Sequence, residues 1–380
     1  MKRVGCFGLV LILLVLLLPL PAQAALEVPG KSALLMDVAT GTVLYEKNAH
    51  EPLPPASVTK VMTLLLIMEA IDDGRLQWED LVTASETAAA KGGSQIFLKA
   101  GEQMTVADMV KSIAVSSAND CACAMAEHLW GSEGAFVEKM NARAAELGME
   151  DTHFVNCTGL DDGADAAQHK TSAYDIAVMS RQLLKYHPKI TEYTTIWMDT
   201  VRDGSFGLSN TNKLVRFYSG ATGLKTGFTQ GAGYCLSASA SREGLDLIAV
   251  VMGCETSQER FSACKSMLDY GFSGFAVVTP RMEEPAAVPV KLGREDSVSL
   301  VAGEEQPILM EKGQRNLVTT QIELEPETTA PVSKGQKLGT MTIRAGDQIL
   351  AQVPLVAEKT VEKLTWGQMF LQVLRSICLG

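Results

Sequence analysis

The sequence predicts an α+β fold: one antiparallel sheet built from strands at both ends of residues 25–275, a helical middle, and a small all-β domain after it. Three observations predict it. "SALLMDVATGTVLYEKN" places two apolar runs around a turn, the pattern of a β-hairpin. "ATGLKTGFT", "GYCLSASAS" and "DLIAVVMGC" read as three successive strands, the last two joined by a turn at "REG". The region between these two groups is mainly helical in spacing, which leaves the strands at its two ends to meet in one sheet.

The elements follow in order. "MKR", an apolar run and "AQA" form a signal peptide over 1–24, with cleavage expected after Ala24 or Ala25; an uncleaved anchor is the alternative. Export follows. Cys6 lies too early to be a lipoprotein cysteine. After the hairpin, "EPLPPAS" stops the second strand. The stretch from Val58 to Ile71 is apolar nearly all round, which predicts a helix inside the domain. Thr105 with Asp108, and Ser172 with Asp175, have the spacing of helix capping boxes. "NDCACAMAEHLW" and "EGAFVEKMNARAAELGM" supply further helices, and "SQERFSACKSMLDYGF" closes the region. From 276 to 362, short β-rich runs are broken by Gly, Pro and acidic residues, as in a small all-β domain. Residues 363–380 place Trp366, Met369, Phe370, Val373, Leu374 and Ile377 on one helical face. That face suits a membrane surface or, alternatively, packing on its own domain.

The formal net charge of -11 argues against nucleic acid as a partner, because phosphate binding needs a basic face. Without Cys6, seven cysteines remain: Cys121, Cys123, Cys157, Cys235, Cys254, Cys264 and Cys378. None has metal-ligand spacing, and most read as small buried side chains. Cys235 and Cys254, on neighbouring predicted strands, leave a disulfide open. The five histidines are scattered, so no metal or cofactor is implied. His169 suits either the rim of a cleft or a solvent-exposed loop, and the loop reading is preferred. "LDDGAD" reads as a solvated loop, since the twelve-residue calcium pattern is absent.

"PASVTK" puts Ser57 three residues before Lys60 at a helix start. Serine there is a common N-cap. The alternative is a nucleophile and its base, which need one helical turn of separation to face one cleft. "SSAND" holds Ser117 and Asn119, and "GLKTG" holds Lys225, Thr226 and Gly227. Each has an ordinary structural reading, a polar loop and a surface strand. Together, in this order, the three motifs resemble those of the penicillin-binding proteins and serine β-lactamases. With "NCTGLDDG", the signal peptide, the β-rich tail and the terminal helix, nearly the whole chain resembles the low-molecular-mass D-alanyl-D-alanine carboxypeptidases. These form peptidase family S11, in the group of DacF-type and PBP5-type enzymes.

The resemblance implies a penicillin-binding-protein-like sheet with a helical subdomain. It implies a serine-type carboxypeptidase that trims D-alanine from peptidoglycan stem pentapeptides and is acylated by β-lactams. Ser57 is then the nucleophile, Lys60 its base, and Ser117 a proton relay held by Lys60 and Lys225. Asn119 binds the substrate amide backbone, while Lys225 and Thr226 receive the terminal carboxylate. Gly227 lets the substrate approach the strand, and the amides of Ser57 and Phe228 form the oxyanion hole. Burial, with Lys225 as a second cation, is expected to lower the Lys60 pKa. A class A β-lactamase is disfavoured because no E-x-x-L-N pattern lies between Asn119 and Lys225. An endopeptidase or transpeptidase shares the motifs. A non-catalytic wall-binding scaffold is disfavoured by the presence of Ser57, Lys60 and Ser117. The expected location is the extracytoplasmic face of the membrane.

Overall fold

The computed structural model describes residues 26–279, 281–282, 285–303 and 307–371. The predicted signal peptide, Cys378 and the last nine residues of the predicted C-terminal helix lie outside the described residues.

The main sheet has five antiparallel strands. Strands β1 (Ser32–Asp37) and β2 (Val43–Lys47) form the predicted hairpin. The later strands β3 (Ala221–Thr229), β4 (Gly233–Arg242) and β5 (Leu245–Cys254) join it in the order β2-β1-β5-β4-β3. The two ends of the region therefore meet where β1 pairs with β5, Ala33 opposite Val251 and Leu35 opposite Ala249.

Both faces of this sheet are buried, so its central strands are apolar without alternation. Side chains still alternate between two cores. Leu34, Met36, Ile248, Val250 and Met252 enter one, with the helices of the middle region. Ala33, Leu35, Leu247, Ala249 and Val251 enter the other, beneath Ala263, Met267 and Phe272 of the closing helix Ser257–Gly274. The first core centres on α1 (Lys60–Asp72), which is buried from Lys60 through Met68. An all-round apolar sequence is what a helix surrounded by protein requires.

Around α1 lie α2 (Val106–Ser116), α3 (Asn119–Trp130), α4 (Glu133–Glu146) and α5 (Ala173–Tyr186). Two of their starts are capped as the sequence predicts. Thr105 accepts the Asp108 amide and Ser172 the Asp175 amide, each at 3.2 Å. Ser132 and Thr256 cap α4 and the closing helix, now α6, in the same way. A two-stranded pair, Leu81–Thr83 with Gln103–Thr105, and a short hairpin, Met198–Val201 with Phe206–Ser209, interrupt the helical middle. The sequence did not reveal them, because three- and four-residue strands carry too little periodicity.

Beyond Phe275 the fold becomes all-β. A six-stranded sheet encloses its own core, including Val288, Val298, Leu338, Met341 and Leu355. Ala286–Lys291 alternates buried and exposed positions, as a half-buried strand should. At the C-terminus, residues 366–371 are helical, and Trp366 is 87% exposed with Phe370 and Leu371 also exposed. Among the described residues, no helix is long and apolar enough to cross a membrane. Cys121, Cys123, Cys157, Cys235, Cys254 and Cys264 are all buried free thiols, so the disulfide left open between Cys235 and Cys254 is absent.

Candidate active site

Ser57 lies in a 3-10 turn, Ala56–Thr59, that runs directly into α1. Its hydroxyl caps no backbone amide at either helix start. Instead Ser57 Oγ accepts a hydrogen bond from Lys60 Nζ at 3.0 Å. The i, i+3 spacing thus serves a side-chain pair, and the capping reading fails.

The turn is held by close backbone approach. Ala56 has φ +48°, the left-handed region that L-residues seldom adopt. Gly159 packs on it so tightly that a Cβ would sit 1.8 Å from the Ala56 carbonyl oxygen. Gly227, on β3, approaches from the other side, where a Cβ would lie 2.6 Å from the Pro55 oxygen and 3.1 Å from the Ser57 nitrogen. The sequence reading assigned the Gly227 gap to substrate. In the fold, that gap is filled by the nucleophile turn itself.

Lys60 is fully buried, and its Nζ also donates to the Thr158 carbonyl at 2.8 Å. Burial pushes its pKa down to about 7, against the opposing pull of the Cys157 sulfur and the Asp120 carboxylate. Lys225, also buried, donates to the Thr226 carbonyl at 2.9 Å. Burial first, then the charges of Lys60 and Arg260, hold it well below the ordinary lysine range. Burial is the leading cause for both amines, as expected for Lys60, and the repulsion between the two acts on each of them.

Ser117 closes α2 at φ +62°, an unusual conformation for a side-chain-bearing residue. Its buried Oγ has no hydrogen-bond partner, so the expected links to Lys60 and Lys225 are not formed in this structure. Asn119 donates through Nδ2 to the Gly92 carbonyl at 2.7 Å, leaving its buried Oδ1 without a partner. Each such orphan costs stability, and two from one short motif mark a place built to meet a polar ligand. The adjacent Asp120 carboxylate accepts the amides of Ile96, Leu98 and Cys121 and so pins the loop that faces this motif.

Thr226 Oγ1 donates to Thr211 Oγ1 at 2.7 Å. Arg260, from α6, donates to the Gly227 carbonyl at 2.9 Å and stiffens the strand from behind. Phe228 follows, 51% exposed, with its ring 4.3 Å from that of Tyr234.

Several supporting residues escaped the sequence reading. Thr158 and Gly159 are set by Asn156, whose side-chain oxygen accepts both of their amides at 3.1 and 2.6 Å. The Asn-x-x-Gly spacing in "NCTGLDDG" was the available signal for such a turn. Nothing local marks Thr211 or Arg260. His169, expected in a solvent-exposed loop, is instead buried at 4% exposure, although the acidic stretch before it and Lys170 after it are exposed.

A sheet backed by helices on both faces, with Ser57 and Lys60 at the start of α1 and with Ser117–Asn119 and Lys225–Gly227 on elements that pack against α1, defines the penicillin-binding-protein class of fold. A family model described as D-alanyl-D-alanine carboxypeptidase, peptidase S11, matches residues 20–256, and the penicillin-binding protein 5 C-terminal domain matches 278–363. The chain belongs to the S11 D-alanyl-D-alanine carboxypeptidase family. It is 45% identical over 340 residues to the D-alanyl-D-alanine carboxypeptidase DacF of Bacillus subtilis, covering 88% of this chain and 86% of that one. Among solved structures it resembles penicillin-binding protein 5 from Haemophilus influenzae, with a TM-score of 0.74 and 30% identity over 90% of this chain and 99% of that one. It also resembles the ampicillin-bound penicillin-binding protein D2 of Listeria monocytogenes, with a TM-score of 0.57 and 31% identity over 65% of this chain and 99% of that one.

Proposed function

We propose that this chain is a serine-type D-Ala-D-Ala carboxypeptidase that removes the terminal D-alanine of peptidoglycan stem pentapeptides through an acyl-enzyme on Ser57. The observation that carries this reading is the 3.0 Å contact between Ser57 Oγ and a fully buried Lys60 amine. A lysine with a pKa near 7 is substantially neutral at physiological pH and so can accept a proton.

In the proposed cycle Lys60 takes the Ser57 proton as Oγ attacks the penultimate D-alanine carbonyl. The Ser57 and Phe228 amides hold the oxyanion. The C–N bond then breaks, and Ser117 relays the proton held by Lys60 to the departing D-alanine nitrogen, which returns Lys60 to its neutral form. Water, deprotonated by the same base, hydrolyses the ester. Asn119 Oδ1 accepts from the substrate amide, while Lys225 and Thr226 receive the terminal carboxylate. β-Lactams enter by the same attack, which opens their ring and leaves an ester on Ser57. The ampicillin-bound relative supports this step.

D-Alanine release from diacetyl-Lys-D-Ala-D-Ala tests the reading. Wild type should release it and Ser57→Ala should not. Penicillin hydrolysis without peptide cleavage would favour a β-lactamase, and inactivity of both in folded wild type would favour a scaffold.

The Lys60 pKa also sets a pH dependence. The neutral amine is the reactive form, so acylation should rise with pH and level off above about 7. Asp120 pulls that pKa upward, so Asp120→Asn should move the rising limb to lower pH. Acylation rates of both proteins between pH 5 and 9 check the sign.

We place the catalytic domain at 25–275 and the β-rich domain at 276–362, after a cleaved signal peptide. We assign 363–380 to the extracytoplasmic face of the membrane, a role supported by the exposed Trp366, Phe370 and Leu371. Deleting 364–380 should release the mature protein from membranes, and unchanged retention in the pelleted fraction would remove this assignment.

A further inference from the structure

His169 lies outside the three motifs, yet it touches the turn that carries the nucleophile. Its Nε2 is 2.8 Å from Thr59 Oγ1, and its Nδ1 accepts the Val155 amide at 3.2 Å. Thr59 Oγ1 in turn donates to the Ala56 carbonyl at 2.8 Å. These contacts fix the tautomer. An amide donor at Nδ1 places the ring proton on Nε2, so the ring donates to Thr59 and the threonine hydroxyl donates onward. A chain of three hydrogen bonds then runs from Val155 to Ala56, all in one direction.

The ends of this chain matter. Ala56 is the left-handed residue before Ser57, and Thr59 lies between Ser57 and Lys60. Val155 precedes the loop whose Thr158 carbonyl holds Lys60. The chain that follows His169 is firmly held. The neighbouring Lys170 forms a two-way backbone bridge with His153, and Thr171 forms one with Leu53. The Phe154 ring stands edge-on to the imidazole at 5.7 Å. Burial, with His153 and Lys60 nearby, holds the His169 pKa at about 4, so the ring is neutral at working pH and can accept at Nδ1.

We propose that His169 is a positioning residue for acyl transfer: its imidazole carries a hydrogen-bond relay from Val155 to Ala56 that sets the turn presenting Ser57. The proposal rests on the reading of Ser57 as nucleophile. Without the relay, Ala56 and Thr59 lose the contact that fixes their orientation, and Ser57 departs from the geometry of attack. A displacement of about 1 Å costs on the order of 10²-fold in rate, which sets the scale.

The test measures benzylpenicillin acylation by intact mass over a range of concentrations and times. It separates the first-order acylation rate from the pre-covalent dissociation constant. His169→Leu and Thr59→Val should each lower the rate roughly 10- to 100-fold with little change in dissociation constant. The double variant should be no more than about twofold slower than the slower single, because both break one relay. Thr59→Ser keeps the hydroxyl and should stay within about threefold of wild type. A wild-type rate in either folded single variant would overturn the proposal, as would losses that multiply in the double variant. If His169→Leu fails to fold, the near-isosteric Thr59→Val and its serine counterpart decide alone. Unacylated wild type would refute the nucleophile reading, and the relay with it, a result distinct from acylated wild type with unaffected variants.

Discussion

Lys60→Met is expected to lower acylation at Ser57 by on the order of 10³-fold while leaving the unfolding midpoint unchanged or raised. The two effects have one cause. Lys60 is a cation-forming group with no exposed surface. Burial there disfavours its charge, which makes it a usable base and also a burden on stability. Methionine fills a similar volume and removes the charge, a kind of exchange that is often neutral or stabilising. The Thr158 carbonyl loses a donor, a cost of roughly 1 kcal/mol that offsets part of the gain. Acylation kinetics and calorimetry on the same preparation separate the terms. Retained acylation would show that another group takes the Ser57 proton.

Gly159→Ala is expected to impair stability and chemistry together. Gly159 has φ +82°, where a β-carbon costs about 1–2 kcal/mol. The new methyl would also lie 1.8 Å from the Ala56 oxygen and 2.8 Å from Thr59 Oγ1, so backbone must move. Overpacking of this kind adds roughly 1–3 kcal/mol. The atoms displaced are those that present Ser57, and acylation should fall on the order of 10²-fold in the protein that still folds. Gly163 is the control: a Cβ there meets nothing within 4 Å, so Gly163→Ala should match wild type in both assays.

The sheet was legible because its strands are buried on both faces and therefore read as unbroken apolar runs. The helix starts were legible because capping depends on residues three apart, a local pattern that survives without tertiary context. Ser57 and Lys60 belong to the same category, with one helical turn between them. The rest of the site depends on contacts between residues far apart in the chain. Thr158 reaches Lys60 across 98 positions, and Arg260 reaches Gly227 across 33. No local spacing encodes either. At Gly227 the sequence points to a need for a missing side chain, and the structure adds a neighbour that local spacing does not encode, Pro55. His169 was misplaced because the acidic residues before it are solvated, and the reading extended that environment to it. The structure turns it inward against Thr59.

The most direct test of Ser57 as the acylated nucleophile is peptide mapping of the folded protein after brief treatment with benzylpenicillin, beside Ser57→Ala. The expected result is one adduct with the mass of intact penicillin, on the peptide containing Ser57, and none in the variant. An adduct at another residue, an adduct retained in Ser57→Ala, or no adduct on folded wild type would contradict the mechanism.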